Sequence, residues 1–384
     1  MTKINYHMAA PYFPDEEIEK ILPLFREILE GKRPLSQSEF VREFERAFAA
    51  MAGCRYAVAT NSCSAALEIA LRCLNIASGD DVVVPVETFI ATGATILREG
   101  ANPVFAGISP ETFCLSLKTL KAVVTPKTKA VIIVHMAGFI SPEIFEIRNF
   151  CRERDIALIE DAAHAPGAAI NGEKAGSIGD IGCFSFYPTK VMTTAEGGMF
   201  VTNNESLYEL ANSYRHRGRD MSVKMECYSR LGTNNRMTEF SAILGLSQLS
   251  CLNEFTDKRN RVADYYGEFL AELFVQGKLN KLVKPENIRH AYWRFIVGLA
   301  KQFDRVEVQK LMKKKGVAVD WAYDPPLHLQ PVFRHRFNIS EGYLPETEGI
   351  MKHFICLPIH PLLTREDIAY ISSSLIEVLE SLSE

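Results

Sequence analysis

Four short apolar runs decide how this chain reads: DVVVP at 81–85, PVFAGI at 103–108, AVIIVH at 130–135 and ALIEDAA at 157–163. Each is β-branched and nearly continuous, the pattern of strands buried on both faces of a mostly parallel sheet. Helix-forming stretches separate them, so strand and helix alternate and the fold class is α/β. Working upstream, YAVAT at 56–60 is another short strand-like run, followed by Asn61, Ser62, Cys63 and Ser64 and then helix formers over 65–74. Before it, Ile18, Ile21, Leu22, Leu24 and Phe25 carry helical spacing until Gly31-Lys32-Arg33-Pro34 interrupts. Val41, Phe44, Phe48 and Met51 then resume the period.

Working downstream, GCFSFYP at 182–188 and GGMFVTN at 197–203 are joined by a polar loop alone, which predicts an adjacent strand pair rather than another crossover. A long amphipathic stretch over 238–273 repeats Leu244, Leu246, Leu249, Leu252 and Phe255 near one face. It is the expected connector between a large domain, residues 1–250 with the N-terminal helical segment, and a small α+β domain, residues 251–384. AYWRFIVGLA, GVAVDWAY and a final helix over 366–382 belong to the latter.

With 384 residues the chain exceeds one ordinary domain, and 47% apolar with 23% charged residues suits a folded protein with a sizeable core. A net charge of -4 argues against general nucleic-acid binding, which needs a basic stripe. Nine scattered cysteines form no CxxC pair and no Cys/His ligand spacing, so no metal site and reduced thiols are expected. The opening MTKINYHMAAPYFPDEE has no apolar signal core, and no apolar stretch approaches the roughly 20 residues of a membrane span. A cytoplasmic location without membrane attachment is the expectation.

Four elements occur in a telling order: a polar turn before a helix at Ser62 to Ala66, a strand ending in Asp161, SFYPTK ending in Lys190, and GTNNRM at 232–237. Each alone is weak. In this order, over nearly the whole chain, they resemble the DegT/DnrJ/EryC1/StrS family, the sugar aminotransferases among the fold-type-I pyridoxal-phosphate enzymes. The resemblance implies an aspartate-aminotransferase-like large domain of three α/β/α layers with a mixed, mostly parallel seven-stranded sheet, and a small α+β C-terminal domain.

It also implies a division of labour among residues. Lys190 carries pyridoxal 5'-phosphate as a Schiff base and later moves the proton, since an amine on a flexible stem condenses with an aldehyde once it is deprotonated. For a lone lysine a solvated loop is the commoner reading, and the frame around Lys190 reverses those odds. Asp161 corresponds to the acid that keeps the pyridine nitrogen protonated; strand alternation turns the adjacent Glu160 to the other face. His164 is expected one helical turn after Asp161, against the cofactor ring, with a hydrogen-bonded core histidine as the competing reading. Phe89 corresponds to the aromatic on the other ring face, and alone it reads as core.

Cys63 and Ser64 fall where the family has a Gly-Thr pair at the phosphate, and Ser185 matches its serine ligand; an ordinary helix cap is compatible with both roles. Asn234 corresponds to the asparagine that reaches a neighbour's cofactor, with Asn235 as the alternative bearer and a plain surface turn as the rival. A homodimer with a shared active site is therefore expected. Tyr187, Arg217, Tyr323 and His328 are candidates for the sugar end, where surface or packing roles compete equally. The sequence departs from the family's pattern at Cys63, Val191 and Ala195, and the GKRPLSQSE turn lacks the glycine usual near Gln37 or Ser38.

The implied reaction moves an amino group from an amino acid, L-glutamate most often in the family, to the keto group of a nucleotide-linked deoxysugar, with pyridoxamine 5'-phosphate as the intermediate cofactor form. Relatives that deoxygenate sugars replace the lysine with histidine, so Lys190 argues against them. A cyclitol or other non-nucleotide ketone as acceptor, or a non-catalytic cofactor-binding regulator, are the alternatives.

Overall fold

Val82, Val83, Val84, Ile132, Ile133 and Ile159 have no solvent-accessible surface, and their burial organises the computed structural model, which describes residues 4–282 and 285–383. The chain enters through α1 (Asp15–Leu29) and α2 (Glu39–Ala52). It then alternates β1 (Tyr56–Thr60), α3 (Cys63–Cys73), β2 (Asp81–Pro85), α4 (Ile90–Arg98), β3 (Asn102–Ala106), α5 (Leu117–Lys121), β4 (Thr128–Val134), α6 (Ile144–Arg152) and β5 (Ala157–Asp161). A small ribbon, β6 (Ala169–Ile170) and β7 (Glu173–Lys174), precedes β8 (Ile181–Ser185) and β9 (Gly198–Thr202).

Seven of these strands form one sheet in the order β1-β9-β8-β5-β4-β2-β3. The pairs from β8 through β5, β4 and β2 to β3 are parallel, while β9 runs antiparallel to both β8 and β1. The mostly parallel sheet expected from the four runs forms, and it is mixed and seven-stranded as the resemblance implies. The polar loop after β8 does join adjacent strands, Ser185 pairing with Gly198.

Helix α7 (Glu205–Arg215) leads to α8 (Glu239–Phe269), capped by Thr238, whose hydroxyl accepts from the Ser241 amide. Expected as one helix to 273, the stretch breaks at Leu270 and restarts as α9 (Ala271–Val275). Beyond it lie β10 (Leu279–Lys281), β11 (Ile288–Arg289), β12 (Phe295–Leu299), α10 (Arg305–Lys314), α11 (Pro331–Phe337), α12 (Pro345–Lys352), β13 (Phe354–Leu357) and α13 (Arg365–Ser381). A second core gathers Val262, Tyr266, Val297, Ile355, Ile371 and Leu375 around β12, β13 and α13. Trp293, Leu327 and Phe333 instead pack into the first core, so the later chain reaches back over the sheet.

Among the residues without a glycine's freedom that hold left-handed backbone are Gln37, at φ 57°, in the turn before α2, and Ala195, at φ 66°, in the loop between β8 and β9. No helix among the described residues is long and apolar enough to cross a membrane.

Candidate active site

At the carboxyl edge of the sheet, where open α/β folds hold ligands, a cavity of about 490 Å³ collects residues from five segments. The start of α3 contributes Ser62, Cys63 and Ser64; the β2–α4 turn contributes Thr88 and Phe89, and the first turn of α4 contributes Thr92. Strand β5 brings Asp161, the loop after β8 brings Ser185, Tyr187 and Lys190, and the later chain adds Trp293, Arg294, Asp320 and Tyr323.

Asp161 ends β5 facing this cavity. Its carboxylate accepts from Thr92 Oγ1 at 2.8 Å and from the Ala163 amide at 3.2 Å, yet burial outweighs both and raises its pKa. Such a carboxyl gains from a cationic N–H placed against it. Glu160 points the other way, as alternation requires, into a separate buried network. It pairs with His135 Nε2 at 2.7 Å and accepts from the amides of Gly176, Ile178 and Gly179.

Lys190 has its pKa lowered from 10.5 to about 8, by burial first, against the opposing charges of Asp161 and Cys63 and with help from Arg294. Its Nζ lies 4.2 Å from the centre of the Trp293 ring, and Trp293 Nε1 donates to the Thr189 carbonyl at 2.9 Å. His164 stacks on Trp293 at 3.8 Å and shares a 2.9 Å hydrogen bond between its Nε2 and the Tyr323 hydroxyl. It occupies a turn rather than the helical position expected, because the chain bends at once after β5, Ala165 N bonding to Ala162 O. Burial, reinforced by Lys190 and Arg294, holds the imidazole well below its usual pKa and so neutral. Phe89, 53% exposed despite its size, overhangs the cavity with its ring 5.6 Å from that of Tyr323.

The opposite end is built from helix α3. Ser62 caps it by accepting from the Ala65 amide, leaving the first-turn N–H groups directed at the cavity beside Ser64 and Ser185. Cys63 enters in helical geometry and is not among the left-handed residues, so the position asks for no glycine. Gly198 does ask for one: an added Cβ would lie 2.4 Å from Ser62 C and 2.5 Å from Cys63 N. An amine near its free-base range, an acid raised by burial and a helix start with two serines are a donor set that fits pyridoxal phosphate.

Three expected residues lie elsewhere. His328 has no exposed surface and is not a cavity residue; Glu348 Oε1 holds its Nε2 at 3.0 Å beneath α12, a packing role. Arg217 and Asn234 are exposed, outside the cavity of their own chain. They share one segment, in which Arg217 N bonds Thr233 O and Asn61 Nδ2 reaches Asn234 O beside the start of α3. Thr92, Trp293, Arg294 and Asp320 were missed. Arg294 had a visible signal, a charge inside the strand-like AYWRFIVGLA, whereas Thr92 looked like any threonine of a helix start.

This sheet, with a buried lysine and acid at its carboxyl edge, defines a fold-type-I pyridoxal-phosphate enzyme. The chain belongs to the DegT/DnrJ/EryC1/StrS aminotransferase family, whose model matches residues 15–376. It is 34% identical over 377 residues to a GDP-perosamine synthase of Caulobacter vibrioides, covering 97% of this chain and 98% of that one. It is 34% identical over 358 residues to a UDP-N-acetyl-3-dehydro-alpha-D-glucosamine 3-aminotransferase of Acidithiobacillus ferrooxidans, covering 91% and 93%. The pyridoxal-phosphate form of the putative sugar aminotransferase Spr1654 from Streptococcus pneumoniae superposes with a TM-score of 0.89 at 25% identity, covering 98% and 99%. The protein is an aminotransferase, and its cofactor is pyridoxal 5'-phosphate, with pyridoxamine 5'-phosphate as the aminated form.

Proposed function

We propose that the protein transfers the amino group of L-glutamate to the keto group of a nucleotide-linked deoxysugar, working as a cytoplasmic homodimer. The observation that carries this reading is a single cavity joining Lys190, Asp161 and the serine-flanked start of α3. The names of the Caulobacter and Acidithiobacillus relatives both specify nucleotide-linked sugars, and the described cysteines are all free, as a reducing compartment keeps them.

When bound, pyridoxal phosphate supplies the electron sink that makes the donor's α-proton removable. Lys190 Nζ anchors the cofactor and then takes that proton, a role its lowered pKa suits near neutral pH. Asp161 holds the proton on the pyridine nitrogen, with Thr92 fixing the carboxylate. Ser64, Ser185 and the amides opening α3 bind the phosphate. Phe89 and neutral His164 cover the ring faces, Cys63 packs beside the phosphate, and Tyr187 and Tyr323 line the sugar end. Asn234 and Arg217, exposed on one segment, serve the second subunit's cavity, which makes the dimer the competent unit.

Protein loaded with pyridoxal phosphate should show a visible band that Lys190→Ala lacks and that L-glutamate bleaches. A nucleotide-linked keto-deoxysugar should restore the band, and a cyclitol ketone should not. A band indifferent to Lys190 refutes the anchoring role; bleaching reversed only by the cyclitol refutes the acceptor.

A further inference from the structure

Among the described residues lining the cavity, Arg294 and Lys190 are the basic side chains that can be cationic near neutral pH, since His164 is held neutral. Once Lys190 is engaged with the cofactor, the cavity retains one permanent cation. An amino-acid donor brings at least one carboxylate into this space, and a buried carboxylate requires a counter-charge.

Arg294 is 7% exposed and is pinned from behind. Its backbone follows Trp293, whose amide bonds Ala137 O at 2.8 Å, and its guanidinium lies over the Trp293 ring, Cζ 4.2 Å from the centroid. Its hydrogen bonding is incomplete. Nη1 donates to the Trp293 carbonyl at 3.2 Å and Nη2 meets Asp320 Oδ2 at a long 3.3 Å, while Nε and Asp320 Oδ1 are buried without partners. A structural Arg–Asp pair normally closes into a short bidentate contact. This one stays open, with the aspartate side chain 37% exposed on the cavity side.

We propose that Arg294 is the carboxylate anchor for the amino-acid donor, with Asp320 as the resident counter-ion that the incoming carboxylate replaces. The anchor sets the donor's orientation toward Lys190: both side chains line the one cavity and both lie against the Trp293 ring, so a carboxylate on Arg294 holds the donor in the space that Lys190 shares. The inference rests on the aminotransferase reading and adds the residue that selects donors bearing a carboxylate.

The test uses holoenzyme and three probes: L-glutamate, maleate, a dicarboxylate without an amine, and propylamine, an amine without a carboxylate. Perturbation of the visible band by maleate reports binding without turnover. Arg294→Gln should raise the half-saturating concentrations of maleate and L-glutamate at least about tenfold. Arg294→Lys should fall between, and the slow reaction with propylamine should be unchanged. Asp320→Asn, which removes the competitor, should lower the half-saturation for maleate. Unchanged maleate binding in Arg294→Gln overturns the assignment. Should Arg294→Gln fail to form the band, an Asp320→Asn variant that binds maleate no more tightly than wild type overturns it instead. Maleate binding that depends on Arg294 while L-glutamate fails to bleach the band refutes the glutamate assignment alone and leaves the anchor standing.

Discussion

Replacing Lys190 by methionine should make the cofactor-free protein more stable, and the gain should shrink as pH rises. Burial lowers the Lys190 pKa from 10.5 to about 8. At about 1.4 kcal/mol per unit this is a cost of about 3 kcal/mol to the folded state near neutral pH. The side chain is only partly buried because it opens onto the cavity, which brings the figure to about 2 kcal/mol. The direction follows because the unfolded chain binds the proton more tightly than the folded one, so stability of the wild type rises with pH between the two pKa values. Below about pH 8 the whole cost is present; through the interval from 8 toward 10.5 it is progressively relieved. Methionine keeps the length and apolar stem without the titrating amine. Urea unfolding of cofactor-free wild type and Lys190→Met at pH 7 and pH 9.5 should show the mutant ahead by about 2 kcal/mol at the lower pH and by about half of that at the higher. Equal stabilities at pH 7, or a gap that does not narrow, would refute the claim that this amine is held against its charge.

Asp161→Asn should leave the lysine-dependent visible band in place while slowing the glutamate half-reaction about 100- to 1,000-fold, measured by stopped-flow absorbance, because an amide cannot hold the ring nitrogen's positive charge. Gly198→Ala should weaken cofactor binding by at least about tenfold in equilibrium dialysis, since its methyl group would occupy the backbone of Ser62 and Cys63. Ala195→Gly should raise the unfolding free energy by about 0.5–1 kcal/mol, relief of left-handed strain exceeding the added chain entropy. Mixing Lys190→Ala with Asn234→Ala protein should restore about a quarter of wild-type activity through hybrid dimers if the site is shared, and none if it is not.

The sheet was legible because its strands are buried on both faces, and Val82 to Val84 or Ala130 to Ile133 leave period and burial no alternative. Lys190 and Asp161 were legible because four motifs, each weak alone, occur in one order along the chain, and the cavity brings both residues together. His328 left both readings open, sugar end or packing, because a lone histidine carries no mark of which way it faces; here Glu348, twenty residues later, holds it inward. Thr92 escaped notice because its meaning comes from chain segments that meet only in three dimensions, and the charge visible at Arg294 did not say what it faces. The break at Leu270 was also invisible, since neither glycine nor proline marks the residue where the helix ends.

The pairing of Ser185 with Gly198 closes the segment that carries Lys190 into a loop whose two feet stand side by side. One foot is Ser185, which lines the cavity, and the other abuts the first turn of α3. The segment bearing Lys190 is thus fastened at both ends by one strand pair and rests against the first turn of α3. A disturbance that shifts either foot moves both together, so the separation of Lys190 from the start of α3 is a ruler fixed by two paired strands.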